Sequence, residues 1–365
     1  MIPVTRSSMP KVEDYVARIN KLWDSRWLTN TGVMHDELAE SLKTRMNVKH
    51  VQLFTNGHIA LEMGIQALGL SGEVITTPFT FASTTQAIIR NGLTPVFCDI
   101  DENTFNIDAK KIEPLITAKT SAILAVHVYG IPCDVIEIER IAKKHNLKVI
   151  YDAAHAFDIN YLGRSIAEYG DLSMFSFHAT KVFHTVEGGC CVYNDENLSK
   201  NLVSLRNFGF NQEASDVTNI GGNGKMSEFH AAMGLCNLVN LDAAIMKRKK
   251  ATKIYDIALE KVDGLQLFPT ITVPLKRNYS YYPVRILSSL GKTRDEIVEL
   301  LKQNNIIARK YFYPLASDFA CYKGIYDPGY TPVAEDVSSN VLCLPLYEDL
   351  QEADIDQICK ILISA

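Results

Sequence analysis

The sequence predicts an α/β protein with a mainly parallel central sheet, followed by a smaller α+β unit. Three observations carry that expectation. Short apolar runs alternate with helix-patterned stretches from residue 56 to about 195, the signature of a sheet covered on both faces. Two further apolar runs, 172–177 and 189–193, extend the strand series. After about residue 263 a new strand and helix series begins, and 365 residues exceed what one ordinary core organises. The expected division is a large unit over 1–262, including the N-terminal segment, and a small one over 263–365.

Taken in order, 61–70 reads as a helix, 73–77 as a strand and 82–91 as a helix. The strand at 95–100 precedes a helix at 109–116, and the strand at 122–128 precedes a helix at 135–145. A strand at 148–151 closes this alternation, with right-handed connections expected throughout. Helices are expected at 197–207 and 227–256. The second carries Lys247-Arg248-Lys249-Lys250, read as a solvated face. In the small unit, strands fall at 281–286 and 341–346, and helices at 293–303 and 353–363.

Composition narrows the function. A net charge of −5 gives no electrostatic case for nucleic acid or an anionic membrane. No run of about 18 apolar residues suggests a membrane span. The start, MIPVTRSSMP, lacks an apolar core of signal-peptide length, so a cytoplasmic enzyme is expected. The eight cysteines show no CxxC or Cys/His metal spacing; they read as buried thiols in a reducing compartment, with no metal.

Ligands of open parallel sheets sit beyond the carboxyl ends of the strands, so chemistry is sought there. Asp152 ends the run Lys148-Val149-Ile150-Tyr151. Alone it is equally a turn or cap residue; as a functional group it is a carboxylate that keeps a ring nitrogen protonated. Lys181 follows the run ending in Ser176-Phe177. It is a surface lysine on one reading, and on the other an amine whose desolvation frees its lone pair for a Schiff base. A phosphate would be met by Asn56-Gly57-His58, where a strand-like run enters a helix, with a hydroxyl from Ser176. Phe81 is either a core residue or a stacking partner. Together these suit a phosphorylated pyridine aldehyde.

With those residues in view, the chain resembles the DegT/DnrJ/EryC1/StrS aminotransferases along nearly its whole length. The motifs are FTNGHIAL at 54–61, PFTFASTT at 78–85, VIYDAAHAF at 149–157, FSFHATKVFHTVEGG at 175–189 and NGKMSEFHAA at 223–232. The resemblance implies the fold type I, aspartate-aminotransferase-like architecture, with pyridoxal 5'-phosphate held covalently on Lys181. It implies that Asp152 pairs with the pyridine nitrogen, His155 meets the ring near its phenolic oxygen and Phe81 stacks on it. Asn56, Gly57, His58 and Ser176 would surround the phosphate, joined by Asn223 from the partner subunit of a homodimer with shared sites. Two departures stand out. Most members have Thr where this chain has His58, so a side-chain hydroxyl is lost or replaced. Most follow Arg-Asn with His-Gly, where this chain has Phe208-Gly209 after Arg206-Asn207.

The implied reaction moves an amino group from L-glutamate to a nucleotide-linked keto-sugar. TNGHIALE, FHATKVFHTVEGG and RKYFYPLASDF make the pattern most similar to enzymes forming dTDP-4-amino-4,6-dideoxyglucose. His184, Glu187, Arg309 and Tyr313 are the candidate sugar-side residues, and Arg309 is a candidate clamp for a carboxylate or pyrophosphate. Two rivals are weighed. A sugar dehydratase on the same fold has histidine at the lysine position, which Lys181 opposes. A non-catalytic regulator has no need of Asp152, Lys181 and the phosphate turn together.

Overall fold

The computed structural model describes residues 1–268 and 273–365. Seven strands form the main sheet: β1 (His50–Phe54), β2 (Glu73–Thr76), β3 (Thr94–Phe97), β4 (Thr120–Val126), β5 (Lys148–Asp152), and, after the short hairpin β6 (Asn160–Tyr161) and β7 (Arg164–Ser165), β8 (Leu172–Ser176) and β9 (Gly189–Tyr193). Their order is β1-β9-β8-β5-β4-β2-β3. Strands β2, β3, β4, β5 and β8 pair in parallel. Only β9 runs against its neighbours β8 and β1 in this sheet. The carboxyl ends of β1, β2, β4, β5 and β8 therefore share one edge, and β9 begins there.

Helices α1 (Val12–Ser25), α2 (Val33–Met46), α3 (Gly57–Ala67), α4 (Ala82–Arg90), α5 (Val135–His145), α6 (Glu196–Arg206) and α7 (Glu228–Leu259) accompany this sheet. Its two faces bury separate apolar clusters. Leu38, Leu42, Ile123, Ile138 and Phe175 belong to one; Leu61, Ile88, Leu124 and Leu202 belong to the other. Helix α7 is long and apolar enough, by length and composition, to cross a membrane, but more than half of that stretch is buried. It packs against α1 and α2 and runs on into a second core, where Ala251, Tyr255 and Leu259 meet the C-terminal strands.

That second core lies under the antiparallel sheet β10 (Leu265–Leu267), β12 (Tyr282–Ile286) and β13 (Val341–Leu344), while β11 (Leu275–Lys276) joins β6 instead. Helices α8 (Arg294–Gln303), α9 (Pro332–Asn340) and α10 (Glu352–Ile363) complete it. The N-terminus lies on this part too, with Ile2 bridging Ile306 and the Leu346 N–H donating to the Val4 carbonyl. Asp99, beyond β3, ties the two parts together by accepting the Ala334 N–H of α9 at 2.9 Å and pairing with Lys111 at 2.8 Å.

Several expected elements differ. The helix placed at 61–70 begins four residues earlier, because Asn56 caps it by accepting the Ile59 N–H at 2.8 Å. The helix expected at 109–116 is two single 3₁₀ turns, Ala109–Lys111 and Glu113–Leu115; Pro114 lacks the N–H a longer helix needs. The strand expected at 95–100 ends at Phe97. The basic run on α7 is not wholly solvated. Arg248 is buried and donates to the Leu346 carbonyl at 3.1 Å, while Lys250 pairs with Glu352. All eight cysteines are free thiols; seven are buried, and Cys321 is exposed.

One buried carboxylate holds the N-terminal helices to the rest. Glu228, the first residue of α7, accepts N–H groups from Gly32, Met34 and His35 at 3.1, 2.7 and 3.2 Å, capping α2 from another element. A Cβ on Gly32 would lie 2.6 Å from the Glu228 carboxyl carbon, so a larger residue there would have to displace the capping carboxylate. Glu228→Ala leaves three buried donors unmet and is expected to destabilise the fold by about 3 kcal/mol. A lowered denaturant midpoint with an unchanged slope is the expected reading; an unmoved midpoint would show that the cap contributes nothing.

Candidate active site

At the shared strand edge the described residues enclose a cavity of about 440 Å³. Its wall includes Asn56, Gly57, His58, Phe81, Asp152, His155, Ser176, Lys181, Glu187 and Arg309. Segments far apart in sequence thus meet because their strands lie side by side in one sheet.

The floor is Asp152, the last residue of β5 and only 4 % exposed. Its Oδ2 accepts the Thr84 hydroxyl at 2.7 Å and its Oδ1 accepts the Ala154 N–H at 3.1 Å. Thr80 and Thr84 hydroxyls are themselves 2.7 Å apart, so a short row of hydroxyls fixes the carboxylate. Burial raises its pKa above the ordinary carboxylate range; the Thr84 and Ala154 bonds and the Lys181 and His58 charges oppose the rise. A cationic ring nitrogen would complete the set of partners that this desolvated carboxylate needs.

Lys181 stands in the turn after β8, its backbone N–H bonded to the His178 carbonyl at 2.9 Å. Its Nζ is 5.9 Å from the centroid of the Tyr281 ring. Beside it, His155 is buried and takes the Tyr129 backbone N–H on Nδ1 at 3.2 Å. That bond puts the ring proton on Nε2, 3.5 Å from the Tyr311 hydroxyl. Burial, reinforced by Lys181 and Arg309, holds its pKa well below the ordinary imidazole range. The loop carrying His155 is pinned by Asn278, which donates to the His155 and Phe157 carbonyls at 2.8 and 2.9 Å.

At the other end is a cradle for an anion. Helix α3 starts at Gly57 and presents free amides to the cavity. A Cβ on Gly57 would lie 2.9 Å from the Ser176 Cβ, and one on Gly189 would lie 2.6 Å from the Gly57 nitrogen. The close approach of three backbones leaves no room for a side chain at Gly57. His58 lines this end, its Nδ1 2.9 Å from the Ser83 hydroxyl. An aldehyde-reactive amine, a buried carboxylate, an exposed aromatic face and an anion cradle are the donor set that a phosphorylated pyridine aldehyde requires.

Phe81 is not a core residue: it is 53 % exposed at the N-terminus of α4 and free to lie on a ring. Two expected sugar-side residues, His184 and Tyr313, are absent from this wall. His184 is buried away from it, with Nε2 2.5 Å from the Ser8 carbonyl and its own carbonyl taking the Asn237 amide at 2.9 Å. Tyr313 points outward, over the Arg294 guanidinium at 4.6 Å. Asn223 is exposed and bridges Asn207 rather than lining the cavity of its own chain. Glu187 is in the wall, 3.6 Å from His178, and Arg309 reaches it with its guanidinium 4.6 Å over the Tyr311 ring. Sequence reasoning did not single out Thr84, Ser83, Tyr311 or Phe312 individually. Only the motifs at 78–85 and 309–313 signalled them.

Comparison with known proteins agrees with this geometry. The chain is 44% identical, over 99% of its length and 98% of the relative's, to a dTDP-4-amino-4,6-dideoxy-D-glucose transaminase of Escherichia coli. An enzyme of the same name from Shigella dysenteriae is 42% identical, with 97% and 96% of the two chains covered. Among solved structures, DesI, crystallised with its TDP-sugar product, superposes with a TM-score of 0.95 at 33% identity, covering 100% of this chain and 92% of its own. The DegT/DnrJ/EryC1/StrS aminotransferase family matches residues 11–363. The chain belongs to that family and is a pyridoxal-phosphate-dependent aminotransferase.

Proposed function

We propose that this aminotransferase takes the amino group of L-glutamate and delivers it to C4 of a dTDP-linked 4-keto-6-deoxyhexose, dTDP-4-keto-6-deoxyglucose above all. The observation that carries the catalytic part is the convergence of Lys181, Asp152 and the α3 N-terminus on one cavity. The choice of sugar rests on relatives that share more than two-fifths of this sequence and carry that product in their names.

Each residue then has a task. Lys181 would hold the cofactor, and its Nζ is the base that would take the proton from the donor carbon and return one to the acceptor carbon. Asp152 keeps the ring nitrogen protonated. Phe81 would stack on the ring, and His155, with its proton on Nε2, would meet it near the phenolic oxygen. Asn56, Gly57, His58 and Ser176 surround the phosphate. When bound, the cofactor supplies an electron sink and carries the amine between the two substrates. Glu187 and Arg309 face the sugar nucleotide or the donor; His184 and Tyr313 drop out of that role.

We read the larger unit, 1–262, as the cofactor-holding part, and 263–365 as the part that closes the cavity through Arg309, Tyr311 and Phe312. The active form is a homodimer in which Asn223 reaches the partner's phosphate. Exposed Phe208, Val217 and Ile220 beside Asn223, with Trp23 on α1 and Trp27 and Leu28 in the loop between α1 and α2, supply apolar surface for such an interface. A cytoplasmic place fits these substrates, and the amino sugar would serve surface polysaccharide or secondary-metabolite synthesis.

The test is amine transfer from glutamate to dTDP-4-keto-6-deoxyglucose, followed by mass spectrometry beside pyruvate and oxaloacetate. The sugar is expected to win by more than tenfold in kcat/KM, about 1.4 kcal/mol in transition-state binding. A tenfold preference for the small keto acids would refute the sugar assignment and leave the cofactor chemistry standing.

A further inference from the structure

The phosphate end of the cavity holds a side-chain row whose purpose the assignments above leave open. His58, in the first turn of α3, has a neighbour at each ring nitrogen: Nδ1 is hydrogen-bonded to the Ser83 hydroxyl at 2.9 Å, and Nε2 lies at ion-pair distance, 3.4 Å, from Glu62 Oε2 one turn along. Glu62 is held in turn by Arg90, whose Nε donates to the same oxygen at 2.7 Å. The Asn91 amide donates to the Glu62 carbonyl at 3.0 Å. The row crosses from α3 to α4 and ends on Ser83, which lines the cavity with His58, while Glu62 and Arg90 stand behind them.

We propose that Ser83 donates a hydrogen bond to the cofactor phosphate, and that His58, braced by Glu62, is the residue that positions it. The inference rests on the cofactor reading above. A ring with both nitrogens occupied has no side-chain donor left for a ligand, whereas a hydroxyl has one proton and two lone pairs. His58 can donate from both nitrogens only as an imidazolium, the form that Glu62 and a bound phosphate both favour; Nε2–H then faces Glu62, Nδ1–H goes to Ser83 Oγ, and the hydroxyl proton is free to turn to the anion. That arrangement turns the Ser83 proton toward the phosphate, while the His58 Nε2–H and the Arg90 Nε–H both point at Glu62 behind it. Charged groups near His58 are Glu62 on its own helix, Arg90 on α4, Asp152 at the end of β5 and Lys181 after β8. A threonine at position 58 would place a hydroxyl directly at the α3 N-terminus. In this chain the hydroxyl comes from the neighbouring helix instead.

Release of pyridoxamine phosphate from the loaded full-length enzyme, followed by fluorescence, isolates the non-covalent contacts; pyridoxamine lacking the phosphate is the control. Ser83→Ala is expected to weaken pyridoxamine phosphate about tenfold, the scale of one charge-assisted bond, and to leave pyridoxamine unchanged. Glu62→Gln is expected to weaken it severalfold, and to add nothing once Ser83 is alanine. His58→Thr is expected to bind pyridoxamine phosphate within about threefold of the parent, the range of one neutral bond gained or lost, and to make Ser83→Ala silent. Unchanged affinity in Ser83→Ala, or equal losses for both probes, overturns the phosphate contact. An undiminished Ser83→Ala loss in the His58→Thr enzyme overturns the positioning role. Since no acceptor sugar is present, these outcomes are independent of the sugar assignment. An enzyme that binds neither probe would instead strike at the cofactor reading itself.

Discussion

Lys181→Ala is expected to lower turnover by about a thousandfold or more while leaving the fold intact. Among the described residues in the cavity wall Lys181 is the one amine, so no neighbour takes over either of its tasks. In the proposed reaction it anchors the aldehyde and would shuttle the proton between carbon centres, and a positioned general base alone contributes about 10²–10⁴-fold. Because its side chain is in no ion pair or hydrogen bond that holds the structure together among the described residues, stability should be little changed. Steady-state transamination of glutamate with any accepted keto-sugar, beside a thermal melt, checks both halves. Turnover within tenfold of the parent would remove Lys181 from the chemistry.

The second large effect falls on Asp152. Asp152→Asn keeps the shape of the side chain: its one carbonyl oxygen can accept from the Ala154 N–H and its NH2 can donate to the Thr84 hydroxyl oxygen, so the cofactor should stay bound. An amide cannot hold the charge of a pyridinium, and carbanion stabilisation weakens accordingly. A loss of about a hundredfold or more in turnover is expected, the scale of removing one preorganised electrostatic contact in a desolvated site. A shift in the cofactor's absorbance band should accompany it. Near-normal turnover with an unshifted band would mean that the carboxylate only caps the turn after β5.

Much of this site was legible in the sequence because it stands on parallel strands. An apolar run such as Val149-Ile150-Tyr151, closed by the charged Asp152, states where the strand ends, and the edge of an open sheet is where its ligands meet. Asp152, Lys181 and Gly57 could be found that way without knowing how the strands were ordered. The antiparallel course of β9 was not readable, since a buried strand looks the same in either direction. Nor were α1 and α2, whose packing on α7 through Glu228 depends on a carboxylate almost two hundred residues away. His184 and Tyr313 illustrate the same limit. Each lies within a few residues of a wall residue, Lys181 or Tyr311, and each turns away because of partners remote in sequence, Ser8 and Arg294. Thr84 is the reverse case: an ordinary helix threonine by pattern, it holds Asp152 because α4 lies over the end of β5.

The most direct test of the central claim is reduction of the loaded enzyme with borohydride, followed by proteolysis and mass spectrometry of the labelled peptide. The account predicts a yellow protein that bleaches on reduction and carries the reduced cofactor on Lys181, in the peptide containing Phe177-His178-Ala179-Thr180-Lys181. Recovery of the label on any other lysine, or a protein that takes up no cofactor, would contradict it.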